Sequence, residues 1–519
     1  MYSEQLRRSL ALVEASREKN MEQQPPRLTE TERQELLQQF HPDYRPDAFT
    51  TLTHGENAGD RVPTELAALL QGTPRLSATA NLPPITERVD VLIIGGGGAG
   101  AAAALEAQAN GATVLLVTKL RLGDSNTVMA EGGMQAVSQP TDSTARHYLD
   151  SFGGGHFAAD PVLLGKLVGE GPETLSWLTS LGVNFDRDQS GRLLTTHGGG
   201  TSRKRLHAAK DRTGAELMRV LRDEVWHRRI PVLPYTAAVE LLTDRTGAVA
   251  GAVLQNMKTG ERQAVCAKTV VLATGGAGQL RCQGFPTTNH GGATADGLAL
   301  AYRVGAKLTD AESLQYHPTG IVFPTPLLGH LVTEKARALG AQLIDADGNA
   351  FVHPLEPRDV TAAAVIRQCT ARQNGLSVEG HPAVWLDTPM IERLHGIGTI
   401  RFRLPAMQQQ FARFGIDIRT QPILVYPTLH YQNGGIRIND RAETTVSGLF
   451  AAGEVTGGIH GKNRLMGNAL LDILAYGRTA GRSAAAVAAD KDFAEPTLGH
   501  LTDYTPQNST PSPMIFAEN

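Results

Sequence analysis

The sequence predicts an α/β chain: a parallel sheet flanked by helices, interrupted by an inserted α+β domain and preceded by a helical extension. Three observations carry that reading. VDVLIIGGGGAGAAAALEAQANGATVLLVTK, starting at Val89, reads as an apolar strand, a glycine turn, an alanine-rich helix and a second strand, the opening of a βαβ unit. Further strand-like runs follow in PVLPYTAAVELLTD, AVAGAVLQN and TVVLATGG. After a mixed, proline-interrupted stretch from about Ser313 to Gln421, the strand-like GLFAAGEV resumes the apolar, glycine-ended pattern of the first strands.

Taken in order, residues 1–86 open with an amphipathic pattern at Leu6, Leu10 and Val13. Thr29 and Glu32 form a capping-box pattern ahead of Leu36, Leu37 and Phe40, which predicts a second helix. HPDYRPDAF and the prolines of NLPPI read as ordered loop and linker, so this extension is expected to be an appendage. The sheet domain is expected over 87–312, the insert over 313–423, the return to the sheet domain over 424–490, and a poorly ordered tail over 491–519.

The chain has 519 residues, of which 41% are hydrophobic, enough for two or three domains. A net charge of −3 provides no global field to attract nucleic acid or a membrane surface. Cys266, Cys282 and Cys369 are too few and too scattered for an iron–sulfur cluster or a zinc site, and no CxxCH is present, so no metal or haem is expected. The start is charged throughout, and no run of 18 or more apolar residues occurs. A soluble, cytoplasmic protein is expected, meeting a membrane only through a partner.

Gly95, Gly97 and Gly100 give GxGxxG between an apolar strand and a helix, the Rossmann-type context in which the pattern is informative. The glycines permit a tight turn and close approach of a pyrophosphate to the helix N-terminus. Where an acidic residue would bind ribose the chain has Thr118-Lys119, which weakens an NAD assignment. A second cluster, ATGGAG (Ala273 to Gly278), and a third, AAGEV with Glu454, also end strands. Three such strand ends suit a long cofactor that meets the fold repeatedly, and FAD fits better than NAD.

With SNTVMAEGG, ATGGAG, TTN, HPTG, PRD and HGKNRLMGN in this order, the chain from Val89 to Gly481 resembles the flavoproteins of fumarate reductase, succinate dehydrogenase and L-aspartate oxidase. AAGEVTGGIHGKNRLMGNA is most similar to soluble fumarate reductases. The resemblance implies FAD contacts at Gly95, Gly97, Gly100, Ser125, Thr127, Gly133, Ala238, Gly275, Glu454, Asn468, Leu470 and Leu471, with the insert capping the site. It also implies a histidine that carries FAD covalently in the respiratory enzymes; Asn126 stands there, so the FAD is expected to be non-covalent.

The same resemblance implies reduction of a small dicarboxylate, fumarate to succinate, by hydride from flavin N5 and a proton from Arg358. Glu334 and Arg337 match the relay that returns the proton, and His317, Thr333, His430 and Arg464 match the groups that hold the two carboxylates. Arginine suits this work because its fork grips a carboxylate with two parallel N–H bonds. Taken alone, Arg358 beside Asp359 reads better as a plain helix-start ion pair. TSRKRLHAAKDR, from Thr201 to Arg212, reads as a solvated face or as a segment near the cofactor, like the similar His207 segment of L-aspartate oxidase.

Departures loosen the substrate. Gln432 and Asn433 replace a family pattern near the flavin, and Lys462 and Met466 stand where smaller residues are usual. The alternatives are L-aspartate oxidase, a reductase of another enoate of urocanate or acrylate type, and a flavin subunit of an electron-transfer complex docked through residues 1–86. No room is expected after Gly481 for the helical C-terminal domain of the respiratory subunits.

Overall fold

The computed structural model describes residues 2–504; most of the expected tail, 505–519, lies outside the described residues. A seven-stranded sheet runs in the order Val232–Leu233, Val114–Val117, Ile85–Ile94, Arg262–Leu272, Val249–Asn256, Thr236–Thr243, with Leu449–Ala451 also paired to Arg262–Leu272. The pairings among the first four strands and with Leu449–Ala451 are parallel. Thr236–Thr243 and Val249–Asn256 instead form an antiparallel hairpin on one edge, so the sheet is mixed rather than parallel as expected. The cause is local: Asp244 Oδ1 accepts from the Thr246 and Ala248 amides and Gly247 takes φ +87°, closing a turn too short for a parallel crossover.

The helix Gly98–Ala109 lies against the long helix Asn468–Ala489. Gly477 and Gly481 make that closeness possible, since a Cβ on either would come within 2.7 Å of Ala99 O and 2.2 Å of Ala103 O. Both helices and the sheet share the largest apolar core.

A second, antiparallel sheet comprises Leu314–Ile321, Ile423–Gln432, His381–Asp387 and Gln342–Ile344, with Leu376–Val378 added to His381–Asp387. With the helix Arg358–Cys369 and the short helices between Pro389 and Ala412 it encloses its own core, here called the insert. Its last strand runs to Gln432, past the expected break at 423, because that strand pairs with Leu314–Ile321.

Residues 1–86 are not a free appendage. The capping box of Thr29 and Glu32 starts the helix Glu30–Phe40 as the sequence predicts. Its Leu36 and Leu37 share a core with Val360, Ala363 and Ala364, while Leu6 and Val13 of the helix Glu4–Glu22 pack with Trp385. Arg17 makes a buried pair with Asp387 at 2.8 Å. The insert therefore already covers the apolar stripes that the sequence offers as a docking surface for an electron donor. Beyond them, Leu66, Leu69 and Leu70 of the helix Thr64–Leu70 enter the large core of the other sheet.

The first part of the expected tail is also packed: Thr497 bridges to Thr243, and Leu498 and Leu501 are buried against Val239 and Val253. Among the described residues no helix is long and apolar enough to cross a membrane.

Candidate active site

A cavity of about 410 Å³ lies where the two sheets meet. One end is lined by Gly95, Gly97, Thr118, Lys119, Ser125, Thr127 and Ala238; Gly133, Gly275, Glu454 and Leu470 line it further along. Gly97 is the N-cap of the helix Gly98–Ala109, and Gly98 N donates to Thr127 Oγ1 at 3.2 Å. The helix mouth faces the cavity, and the amides of its first turn lack intrahelical acceptors, the arrangement that receives a phosphate. Gly275, at φ +75°, has nothing within 4 Å of where a Cβ would stand. An elongated dinucleotide fits this cradle.

Three expected contacts lie elsewhere. Gly100 is a packing glycine, whose Cβ would meet Gly95 O at 1.8 Å. Asn468 is occupied by His147 at 2.9 Å and Ser151 at 2.9 Å. Leu471 is wholly buried in the core. Gly467 instead brings the helix start to the cavity, using φ +88° as its N-cap.

Lys119 is tied to Asp296 at 2.5 Å, and Asp296 itself lines this end. Asp296, in ATADG at another helix start, thus places a carboxylate at the end of the cavity where the second strand brings none. Asn126 lines the cavity with its amide fully engaged: Nδ2 donates to Asn289 at 2.6 Å and to Glu454 at 3.1 Å, and Oδ1 accepts from His290 N at 2.7 Å.

At the other end Arg358, His430 and Arg464 reach the cavity from the insert and from the loop before Asn468. Arg358 Nε donates to Glu334 Oε2 at 2.6 Å, and Arg337 Nη2 lies 3.8 Å from the same oxygen. Gly199 N donates to Glu334 Oε1 at 2.9 Å. Burial alone would raise the Glu334 carboxyl, but the Arg358 and Arg337 guanidiniums outweigh it and hold the pKa below the ordinary range. Glu334 is therefore an ionised carboxylate buried between two arginines.

Arg358 and Asp359 do not pair with each other. Asp359 instead takes His156 at 2.6 Å and Asn463 at 3.2 Å. The plain ion-pair reading of PRD is thereby replaced.

Arg464 is buried, stacked over Tyr431 with its guanidinium carbon 4.2 Å from the ring centre. Burial, with Arg358 nearby, brings its pKa down to about 10, so it stays charged at neutral pH. His317 and His430 stand with ring centres 5.1 Å apart, and burial followed by the arginines' charge holds both well below the ordinary histidine pKa. Both are neutral at pH 7. His430 Nδ1 meets Thr288 Oγ1 at 2.7 Å, while His317 Nε2 and Arg464 Nε are buried without a partner among the described residues. Arg464 lines the cavity whereas His317 and Thr333 are buried behind it, and an orphaned guanidinium N–H at a cavity calls for a polar ligand. Thr333 is the buried N-cap of the helix Glu334–Ala338.

Two residues escaped the sequence reading. Gln315 accepts from Arg358 Nη1 at 2.9 Å and from Arg464 Nη2 at 3.1 Å through one oxygen, while its amide donates to Asn463 and to Arg464 O. Its place two residues before His317, on the same face of a strand, was the available signal. Glu131 lines the cavity from AEGG with Oε2 unpartnered among the described residues, and burial, with Asp211 nearby, pushes its pKa up to about 8. Asn433 serves the loop rather than the cavity, accepting from Arg464 N at 3.2 Å and donating to Lys462 O at 2.9 Å. The Thr201–Arg212 cluster divides: Arg203 and Lys204 are exposed, Arg205 is buried against Asp142 and Asp150, and His207 carries its carbonyl under Gly133.

Residues 90–470 match the protein family described as FAD binding domain. The chain is 40% identical over 409 residues to a fumarate reductase (CoM/CoB) subunit of Methanothermobacter marburgensis, covering 76% of this chain and 72% of that one. It is 38% identical over 413 residues to L-aspartate oxidase of Streptomyces coelicolor, covering 77% and 68%. A solved mutant of quinol fumarate reductase from E. coli superposes with a TM-score of 0.72 at 32% identity, covering 78% and 71%. With glycine cradle, buried Arg358–Glu334–Arg337 cluster and these likenesses together, the chain belongs to the FAD-binding family of fumarate reductase and succinate dehydrogenase flavoproteins and L-aspartate oxidases, and is an FAD-dependent oxidoreductase.

Proposed function

We propose that this protein reduces the double bond of a small dicarboxylate, fumarate to succinate, with the insert capping a non-covalently held FAD. The observation that carries the reading is the buried Arg358–Glu334–Arg337 set, whose Arg358 opens onto the cavity beside Arg464 and the neutral His430. FAD, when bound, supplies the hydride. Arg464 grips one carboxylate with its fork, and His317, Thr333 and His430 hold the substrate by hydrogen bonds. Arg358 gives a proton to the carbon that gathers negative charge. Glu334 lies at hydrogen-bond distance to hand Arg358 a replacement proton, which it takes up from solvent by way of Arg337, and it is an ionised carboxylate again once the proton has passed. An arginine acid is unusual, because guanidinium rarely loses a proton; a carbanion-like acceptor and an adjacent carboxylate remove the need for a free neutral arginine.

Non-covalent FAD is supported by Asn126, whose amide offers no nucleophile and is held by three partners. Acid precipitation is expected to release yellow FAD into solution; pigment kept on the protein would contradict this. The substrate test is anaerobic oxidation of a reduced dye, with fumarate set against urocanate and acrylates. Activity confined to a monocarboxylate enoate would overturn the dicarboxylate reading.

A second reading, oxidation of L-aspartate, is favoured by one observation: the 38% identity to an L-aspartate oxidase nearly equals the 40% to the fumarate reductase chain. Oxygen uptake with L-aspartate, without fumarate turnover, would select it. For the reductase, electrons come from a partner protein or soluble carrier.

A further inference from the structure

Residues 28–70 run from one body of the molecule to the other, and their polar contacts land around the start of the Arg358 helix. Arg33 meets Glu356 at 2.9 Å, and Leu28 N donates to the other Glu356 oxygen at 2.8 Å. The Glu356 side chain is wholly buried, two residues before Arg358. From the opposite side, Arg337 of the relay donates to Pro354 O at 2.6 Å. The loop that launches the catalytic helix is thus gripped between the relay and the N-terminal segment, and Leu36 and Leu37 pack in the same core as Val360, Ala363 and Ala364 of that helix.

The same segment then touches the strand carrying Gln315. Asp43 accepts from Leu314 N at 3.1 Å, and the His41 ring stands edge-on to Tyr316 at 5.6 Å. Further on it is anchored in the FAD-binding part. Asn57 exchanges hydrogen bonds with Ala306 O and Leu308 N at 2.9 and 2.7 Å, Lys307 pairs with Asp60 at 2.9 Å, and Gln283 N donates to Glu65 at 2.8 Å. The linking stretch, HPDYRPD, has two prolines that start 3-10 turns, so it is short and stiff rather than slack.

We propose that residues 28–70 are a strap that fixes the Arg358 helix relative to the FAD-binding part, with Arg33 and Glu356 as positioning residues for proton delivery. The proposal rests on the reductase reading for its kinetic consequence. A proton donor must meet its acceptor within a fraction of an ångström, and displacement of that order costs catalysis more than binding. The Arg33–Glu356 contact lies at the start of the Arg358 helix and not at Arg464, so its loss falls on proton delivery more than on substrate binding.

The test uses the full-length, FAD-loaded protein with Arg33→Met, Glu356→Gln and Arg33→Lys. Arg33→Met is expected to lower kcat for fumarate about tenfold with KM nearly unchanged, and to raise deuterium uptake over residues 353–362. Glu356→Gln should do the same, and Arg33→Lys should restore most of the rate. If either of the first two variants folds, keeps FAD and matches wild-type kcat and exchange, the strap is not a positioning device. If wild-type protein ignores fumarate, the reductase reading fails, and the exchange measurement alone still decides the strap.

Discussion

On the FAD-binding side the cavity is lined mainly by glycine, alanine and hydroxyl, with Lys119 and Asp296 paired to each other; at the other end it is lined by Arg358, His430 and Arg464, with a buried glutamate behind them. The first surface works by having little side chain. Gly97 and Gly275 leave room for a ligand to approach the backbone, and Gly100 lets the helix lie on the strand. The second works by holding charge where water is excluded, with Glu334 balancing Arg358 and Arg337, and Gln315 joining Arg358 to Arg464. A cofactor that stays needs shape, whereas a substrate that comes and goes needs an unpaired field to enter.

If the two surfaces are separable, damage to one should spare the other. Arg358→Ala should lower turnover roughly 1,000-fold, the middle of the range for a lost general acid, while bound FAD, read by visible absorbance after gel filtration, stays stoichiometric. Loss of FAD in that variant would break the separation. Gly100→Val should do the reverse. Its added carbon would meet Gly95 O at 1.8 Å, so about 3 kcal/mol of stability and the bound FAD should go together. A variant that keeps full FAD occupancy would show that the helix start tolerates displacement.

Glu334→Gln sharpens the electrostatic half. Removing one member of a buried ion pair costs about 3 kcal/mol at neutral pH. Because the folded pKa of Glu334 is depressed, its contribution is present above the ordinary value of 4.5 and is lost as pH falls through the lower folded value. The difference in Tm between wild type and variant should therefore shrink on acidification below that range; a constant difference would mean the carboxylate is not ionised in the native state. Gln315→Met has the smallest expected effect, about tenfold in kcat/KM, or roughly 1.4 kcal/mol, shared between kcat and KM because the amide oxygen serves both arginines. A change in kcat alone would assign it to Arg358 only.

Much of the cofactor end is legible in the chain's local patterns. Thr29 and Glu32 mark a helix start that forms as read, and the glycine turn after Ile94 marks the mouth of the cavity. Periodicity names the stripes of residues 1–40 but not what covers them; an amphipathic helix looks the same facing a partner or its own chain. Gln315 escaped because an amide in a strand carries no signal of two arginines, Arg358 and Arg464, that arrive from distant parts of the chain.

By itself the sequence determined the local devices: the strand–turn–helix that opens the FAD site, the capping box, and the arginines and histidines available for an acid. These depend on backbone geometry and hydrogen bonds between near neighbours. Only the tertiary structure decided that Asp296 answers Lys119, that Glu334 sits between Arg358 and Arg337, that Asp359 turns to His156, and that the N-terminal segment straps one body to the other. Charge partners are chosen by distance in space, and burial sets what each choice does to a proton.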